Sequence, residues 1–171
     1  MPTKELLEAA VDAAYCQLVK RDRPLFERKV NERSFSHKFA MYLQQKVDAW
    51  KEGWDVDCEF NRDRKDTGGD YAKQLHLIDK INSLSTTVYD EDAKTVFPDV
   101  IIHRRGPGSN LLVAEMKKNT ASYTDIAFDR LHKLPAYVNQ LGYQSSVFIL
   151  IDLDNIRCVA EWIKPLGYGI A

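Results

Sequence analysis

The chain has 171 residues, of which 44% are hydrophobic and 29% charged, with a net charge of −1. This is enough chain for one globular domain with a sizeable core. The near-neutral charge gives no whole-chain sign of a polyanion partner, and no apolar run approaches the roughly 20 residues that a membrane-spanning helix needs.

The N-terminal stretch MPTKELLEAAVDAAY carries acids and lacks a continuous apolar segment, so no signal peptide is expected. Cys16, Cys58 and Cys158 are far apart and without CxxC spacing. They read as reduced thiols of a cytoplasmic protein and not as a zinc site. Charge is nonetheless uneven. Basic residues gather between Lys20 and Arg33, and again at His103, Arg104, Arg105, Lys117 and Lys118. Such clusters are either local basic surface or ordinary solvated faces.

Residues 3–20 have helical spacing, with Leu7, Val11, Ala14 and Leu18 on one stripe. Pro24 interrupts the pattern. A second helix is predicted from about Glu32 to Trp50, capped by Asn31, with Phe35, Phe39, Tyr42, Leu43, Val47 and Trp50 as its apolar stripe. Val56 to Phe60 alternates as a strand does. Residues 61–95 read as a long insertion, turn-like at first and with helical spacing from Ala72. Val96–His103 and Leu111–Lys117 read as two strands of a hairpin joined by RRGPGSN. Ala121–Leu141 reads as a helix with Ala127, Leu131, Leu134, Val138 and Leu141 on one face, kinked or divided at Pro135. Ser145–Asp152 is almost wholly apolar, as expected of a strand covered on both faces. Cys158–Ile163 would add a last short strand or helix. This order predicts an α/β fold with a mixed central sheet flanked by helices.

The charges within the hairpin point to chemistry. Side chains alternate along a strand, so Glu115 and Lys117 share a face with Val113, and Leu112, Ala114 and Met116 take the other. If the strand of Asp99 is a neighbour, two carboxylates and a lysine converge at one end of the sheet. Close carboxylates repel, and a hard divalent cation such as Mg²⁺ relieves the repulsion. A surface salt bridge of Lys117 with either acid is the plainer account. Glu32 favours the cation, because it rides the inward stripe of its helix, although a first-turn Glu also suits the helix dipole. Arg104 and Arg105 are candidates for phosphate contact, or simply solvated loop residues. Lys118, Lys133 and Arg130 could line the same groove, but Asp129 and Lys133, four residues apart, read first as a helix-surface pair. His103 reads as a packed residue, and Glu59 as a possible supporting acid.

NERSFSHKFAMYL, VDCEFNRD, PDVIIHRRG and NLLVAEMKKN, taken together, resemble the PD-(D/E)XK nuclease superfamily, and within it a subgroup of small bacterial proteins. The resemblance covers roughly residues 31–152. It implies a restriction-endonuclease-like αβββαβ core within a single domain of residues 1–171, preceded by a helical extension at 1–30. It also implies Mg²⁺-dependent hydrolysis of DNA phosphodiesters, with Mn²⁺ as a substitute. Asp99 and Glu115 match the metal-binding acids, Lys117 the lysine that assists the attacking water, and Glu32 an accessory metal ligand on the first core helix. Arg104, Arg105 and Lys118 are the expected nucleic-acid contacts. Phage defence, restriction, mobile-element processing and DNA repair all remain open as settings. The alternative is a non-cutting nucleic-acid-binding or protein-interaction subunit of a larger complex. A homodimer or partner subunit is compatible with either reading, with residues 1–30 as the docking element, and no membrane association is expected.

Overall fold

A computed structural model describes residues 1–60, 97–105 and 109–163, together with the backbone of four short strands between 62 and 95. Three helices come first: α1 (Lys4–Arg21), α2 (Arg23–Glu27) and α3 (Glu32–Asp48). The strand β1 (Asp55–Cys58) follows. Within the expected insertion, β2 (Arg62–Arg64) pairs with β3 (Asp70–Ala72), and β4 (Gln74–Leu75) with β5 (Lys94–Thr95). The helical reading from Ala72 therefore gives way to strand at Gln74–Leu75, and its remainder lies outside the described residues. Next come β6 (Val100–His103) and β7 (Asn110–Lys118). A helical crossover joins α4 (Tyr123–Phe128), a π-helical turn (Asp129–Lys133) and α5 (Leu134–Leu141). The strands β8 (Ser145–Asp152) and β9 (Arg157–Ile163) close the described chain.

The five longer strands form one mixed sheet in the order β1-β6-β7-β8-β9. Only β7 and β8 run parallel; the other neighbours are antiparallel. A parallel pair needs a crossover, and the α4–α5 segment provides it. Helices cover both faces. On one, Leu7, Val11, Ala14 and Leu18 of α1 and Phe35, Phe39 and Leu43 of α3 pack with Val100, Ile102, Leu112, Ala114 and Met116. On the other, Leu134 and Tyr137 of α5 pack with Ile101, Val113, Tyr143 and Phe148. This split is the strand alternation read in the sequence. The apolar face of α1 is spent on the chain's own core.

The start of α3 is fixed locally. Asn31 has extended backbone and its Oδ1 accepts the Ser34 N–H at 3.0 Å. This satisfies one of the helix's first unpaired donors and sets Glu32 in the first turn. Asn31→Ala is expected to lower stability by about 1 kcal/mol, read as a lower denaturation midpoint at unchanged slope.

Pro135 divides its helix as expected, but through a wider turn. Proline cannot donate to the carbonyl four residues back, and the chain opens into a π-helical turn before it. The extra residue rotates the upstream segment. Leu131, expected on the buried stripe, is 59% exposed, and Asp129 turns inward at 6% exposure. The three cysteines are unpaired, as expected. Among the described residues no helix is long and apolar enough to cross a membrane.

Candidate active site

The hairpin register brings the two hairpin acids together. Val100 pairs with Ala114, so Asp99 stands opposite Glu115 one position further on. Both lie in alternation with Ile101 and Val113, and so on the sheet face that α5 covers. Asp99 is anchored from β7, where the Met116 N–H donates to its Oδ2 at 2.8 Å. It is buttressed from β1 as well. The Glu59 N–H donates to the Pro98 carbonyl at 3.0 Å, with Glu59 in the left-handed region at φ 50°. The Glu59 side chain pairs with Arg33 at 2.8 Å. Glu59 thus supports the site chiefly through its backbone.

Glu115 is only 1% exposed. Its Oε1 forms an ion pair with Lys133 Nζ at 2.8 Å. Burial pushes its carboxyl up to about 8, against the pull of Lys133 and with the repulsion of Asp99 and Asp129. Burial likewise raises Asp99, opposed by the Met116 N–H and by Lys133 and Lys117. Two neighbouring buried acids that resist ionisation form an environment that a cation relieves.

Lys117 extends from the same face toward Asp129 Oδ2 at 3.4 Å and Glu32 Oε2 at 3.6 Å. Burial alone would push its ammonium down, but Asp129 and Glu32 outweigh that and hold it charged. Lys133 is raised in the same manner against burial, chiefly by Glu115 and Asp129. Both lysines are therefore cations at neutral pH and not proton acceptors.

Glu32 reaches the site from the start of α3, but it does not join Asp99 and Glu115 as a third ligand. Its Oε1 accepts the Lys118 N–H at 3.0 Å, and its Oε2 faces Lys117. Among the described residues no three of His, Cys, Asp or Glu gather closely enough to enclose a metal ion. The pair Asp99 and Glu115 remains. Two carboxylates suit Mg²⁺, which keeps waters and takes substrate phosphate oxygens instead of demanding an all-protein cage.

Asp129 and Lys133, which read in the sequence as a surface pair, belong to the site. The π-helical turn carries both inward, where each pairs with a hairpin residue instead of with the other. A Pro two residues beyond a D-x-x-x-K spacing was the available signal, because helix bulges cluster at functional positions.

The expected nucleic-acid contacts lie elsewhere. Arg104 and Arg105 follow the opposite end of β6 from Asp99, roughly 16 Å along the strand direction. Arg105 Nη2 donates to Asp57 Oδ1 at 2.8 Å, and His103 Nε2 meets Asp57 Oδ2 at 2.8 Å. Arg104 Nη2 donates to the Glu52 carbonyl at 2.8 Å, and its guanidinium lies over Trp54 at 4.2 Å. His103 is buried, its ring 4.7 Å from Phe60, as a packed residue should be. Lys118 Nζ donates to the Val30 carbonyl at 3.3 Å, on the α3 side of the sheet. Only Lys118 of the three is near the acids, and it faces away from them.

No protein-family model, no curated protein and no solved structure matches this chain.

Proposed function

We propose that the chain carries a restriction-endonuclease-like core and is a Mg²⁺-dependent nuclease that hydrolyses DNA phosphodiester bonds. The order α3, β1, β6, β7, helical crossover and β8 supports the core. One observation carries the activity: at the end of β6 and β7, among the described residues, four carboxylates face two ammonium groups. Asp99, Glu115, Glu32 and Asp129 stand against Lys117 and Lys133, and two negative charges are left over when all are ionised. One divalent cation balances them. The site also lies at the carboxyl end of the parallel strands β7 and β8, where open α/β sheets bind ligands.

Asp99 and Glu115 would hold the Mg²⁺, which when bound polarises a phosphoryl oxygen and makes its water a better nucleophile. Glu115 gives up its proton on taking up that role. Lys117, kept protonated, orients the attacking water and offsets charge developing on the phosphate. Glu32 and Asp129 hold Lys117 between them and so fix its direction. Tyr137 and the apolar residues of the second core exclude water beneath Glu115 and strengthen these interactions.

The test is incubation with plasmid, linear and single-stranded DNA in Mg²⁺, in Mn²⁺ and in chelator, beside Asp99→Ala. Cutting that needs the cation and vanishes in Asp99→Ala is expected. Equal cutting by the variant would overturn the site. Tight binding without cutting would favour a non-cutting binding subunit.

A further inference from the structure

The geometry points to Lys133 as a movable counter-ion: its ammonium occupies Glu115 until a divalent cation takes that carboxylate, and then passes to Asp129. This rests on the proposed cation site at Asp99 and Glu115. Lys133 Nζ lies 2.8 Å from Glu115 Oε1. A cation held by the two hairpin acids and that ammonium compete for the same buried carboxylate, since like charges do not share one oxygen in a low-dielectric site. The ammonium has somewhere to go. Asp129 Oδ2 is buried, accepts no hydrogen bond among the described residues, and meets Lys117 only at 3.4 Å. Asp129 and Lys133 sit four residues apart on the same π-helical turn, within reach of each other by a change of side-chain rotamer. The Tyr137 ring, 5.9 Å from Nζ, flanks the ammonium as it moves. Without Lys133 beside it, an ionised Glu115 would have no counter-charge when the cation is absent, a costly state. Lys133 is thus a positioning residue that keeps the empty site intact and clears it on loading.

The experiment follows the lysine ammonium signals of the ¹⁵N-lysine-labelled full chain by NMR while MgCl₂ is added, without DNA; a uniformly ¹⁵N-labelled sample gives the Met116 amide. The Lys133 signal is assigned by its loss in Lys133→Arg, which keeps the charge. The expected result is that the Lys133 ammonium and the Met116 amide shift together with one apparent affinity. Lys133→Met is expected to bind Mn²⁺ roughly tenfold more tightly than the native chain, because the competitor is gone. If the Met116 amide shifts while the Lys133 signal stays, the exchange is overturned and the cation site stands. If neither moves up to saturating salt, the cation site itself fails, and the exchange with it. The two signals are read in the native chain, so the outcome does not depend on whether Lys133→Met folds.

Discussion

Lys117→Met is expected to slow phosphodiester cleavage by roughly 10²–10³-fold at saturating Mg²⁺, the usual loss when one fixed electrostatic group is removed from a transition state. The effect should fall on the cleavage step and only slightly on DNA binding, because a single partly buried ammonium contributes little to the affinity for a polyanion. Lys117 also has a structural part to play. It forms an ion pair with Asp129, which is buried, and removing it strands that charge. Losing one member of such a pair costs up to a few kcal/mol, less where the lysine is partly exposed as here. The double variant Lys117→Met with Asp129→Asn separates the two effects. It removes the stranded charge, so the melting temperature should recover while single-turnover cleavage stays slow. Near-native cleavage in Lys117→Met would sink the assigned role. Recovery of cleavage in the double variant would mean that the single variant was slow only because its site had distorted.

The part of this site that was legible in the sequence is the part that depends on strand alternation. A period of two places Glu115 and Lys117 on one face whatever the surrounding fold, and hairpin connectivity puts Asp99 across from Glu115. The Asn31 cap and the inward position of Glu32 follow equally from local rules. The illegible part depends on a local break of period. An uninterrupted helical reading of 121–141 buries Leu131 and exposes Asp129, and one π-helical turn reverses both. The sequence marks the break with Pro135 but not its width, and the width decides which residues enter the site. Arg104 and Arg105 stand apart from the acids for a different reason. They are near the acids in the written sequence, but the strand between them carries its two ends apart, and Asp57 and Glu52 from the neighbouring strand and loop supply their partners. Charge proximity along a chain is a guide only when the intervening residues turn back, and β6 does not.

Glu115→Gln is expected to abolish cation-dependent cutting and, in chelator, to make the chain more stable at alkaline pH. The sign follows from the raised carboxyl. The folded chain holds the Glu115 proton up to about pH 8, while the unfolded chain releases it near 4.5. Between these values the folded state binds more protons, so native stability falls as pH rises and the loss is complete above the folded value. Each pH unit between them is worth about 1.4 kcal/mol, which makes the total a few kcal/mol. The amide of the variant has no proton to lose, so the slope over this window should flatten and the two chains should diverge most above pH 8. The gain is limited by Lys133, which keeps only Asp99 and Asp129 as negative neighbours once Glu115 is replaced. Chemical denaturation at pH 5, 7 and 8.5 measures it; a parallel pH slope in the two proteins, or a less stable Glu115→Gln chain at pH 8.5, would show that Glu115 is not held against its ionisation. A carboxylate whose removal stabilises the fold is maintained for another reason, and the proposed cation site of the two hairpin acids across β6 and β7 would supply it.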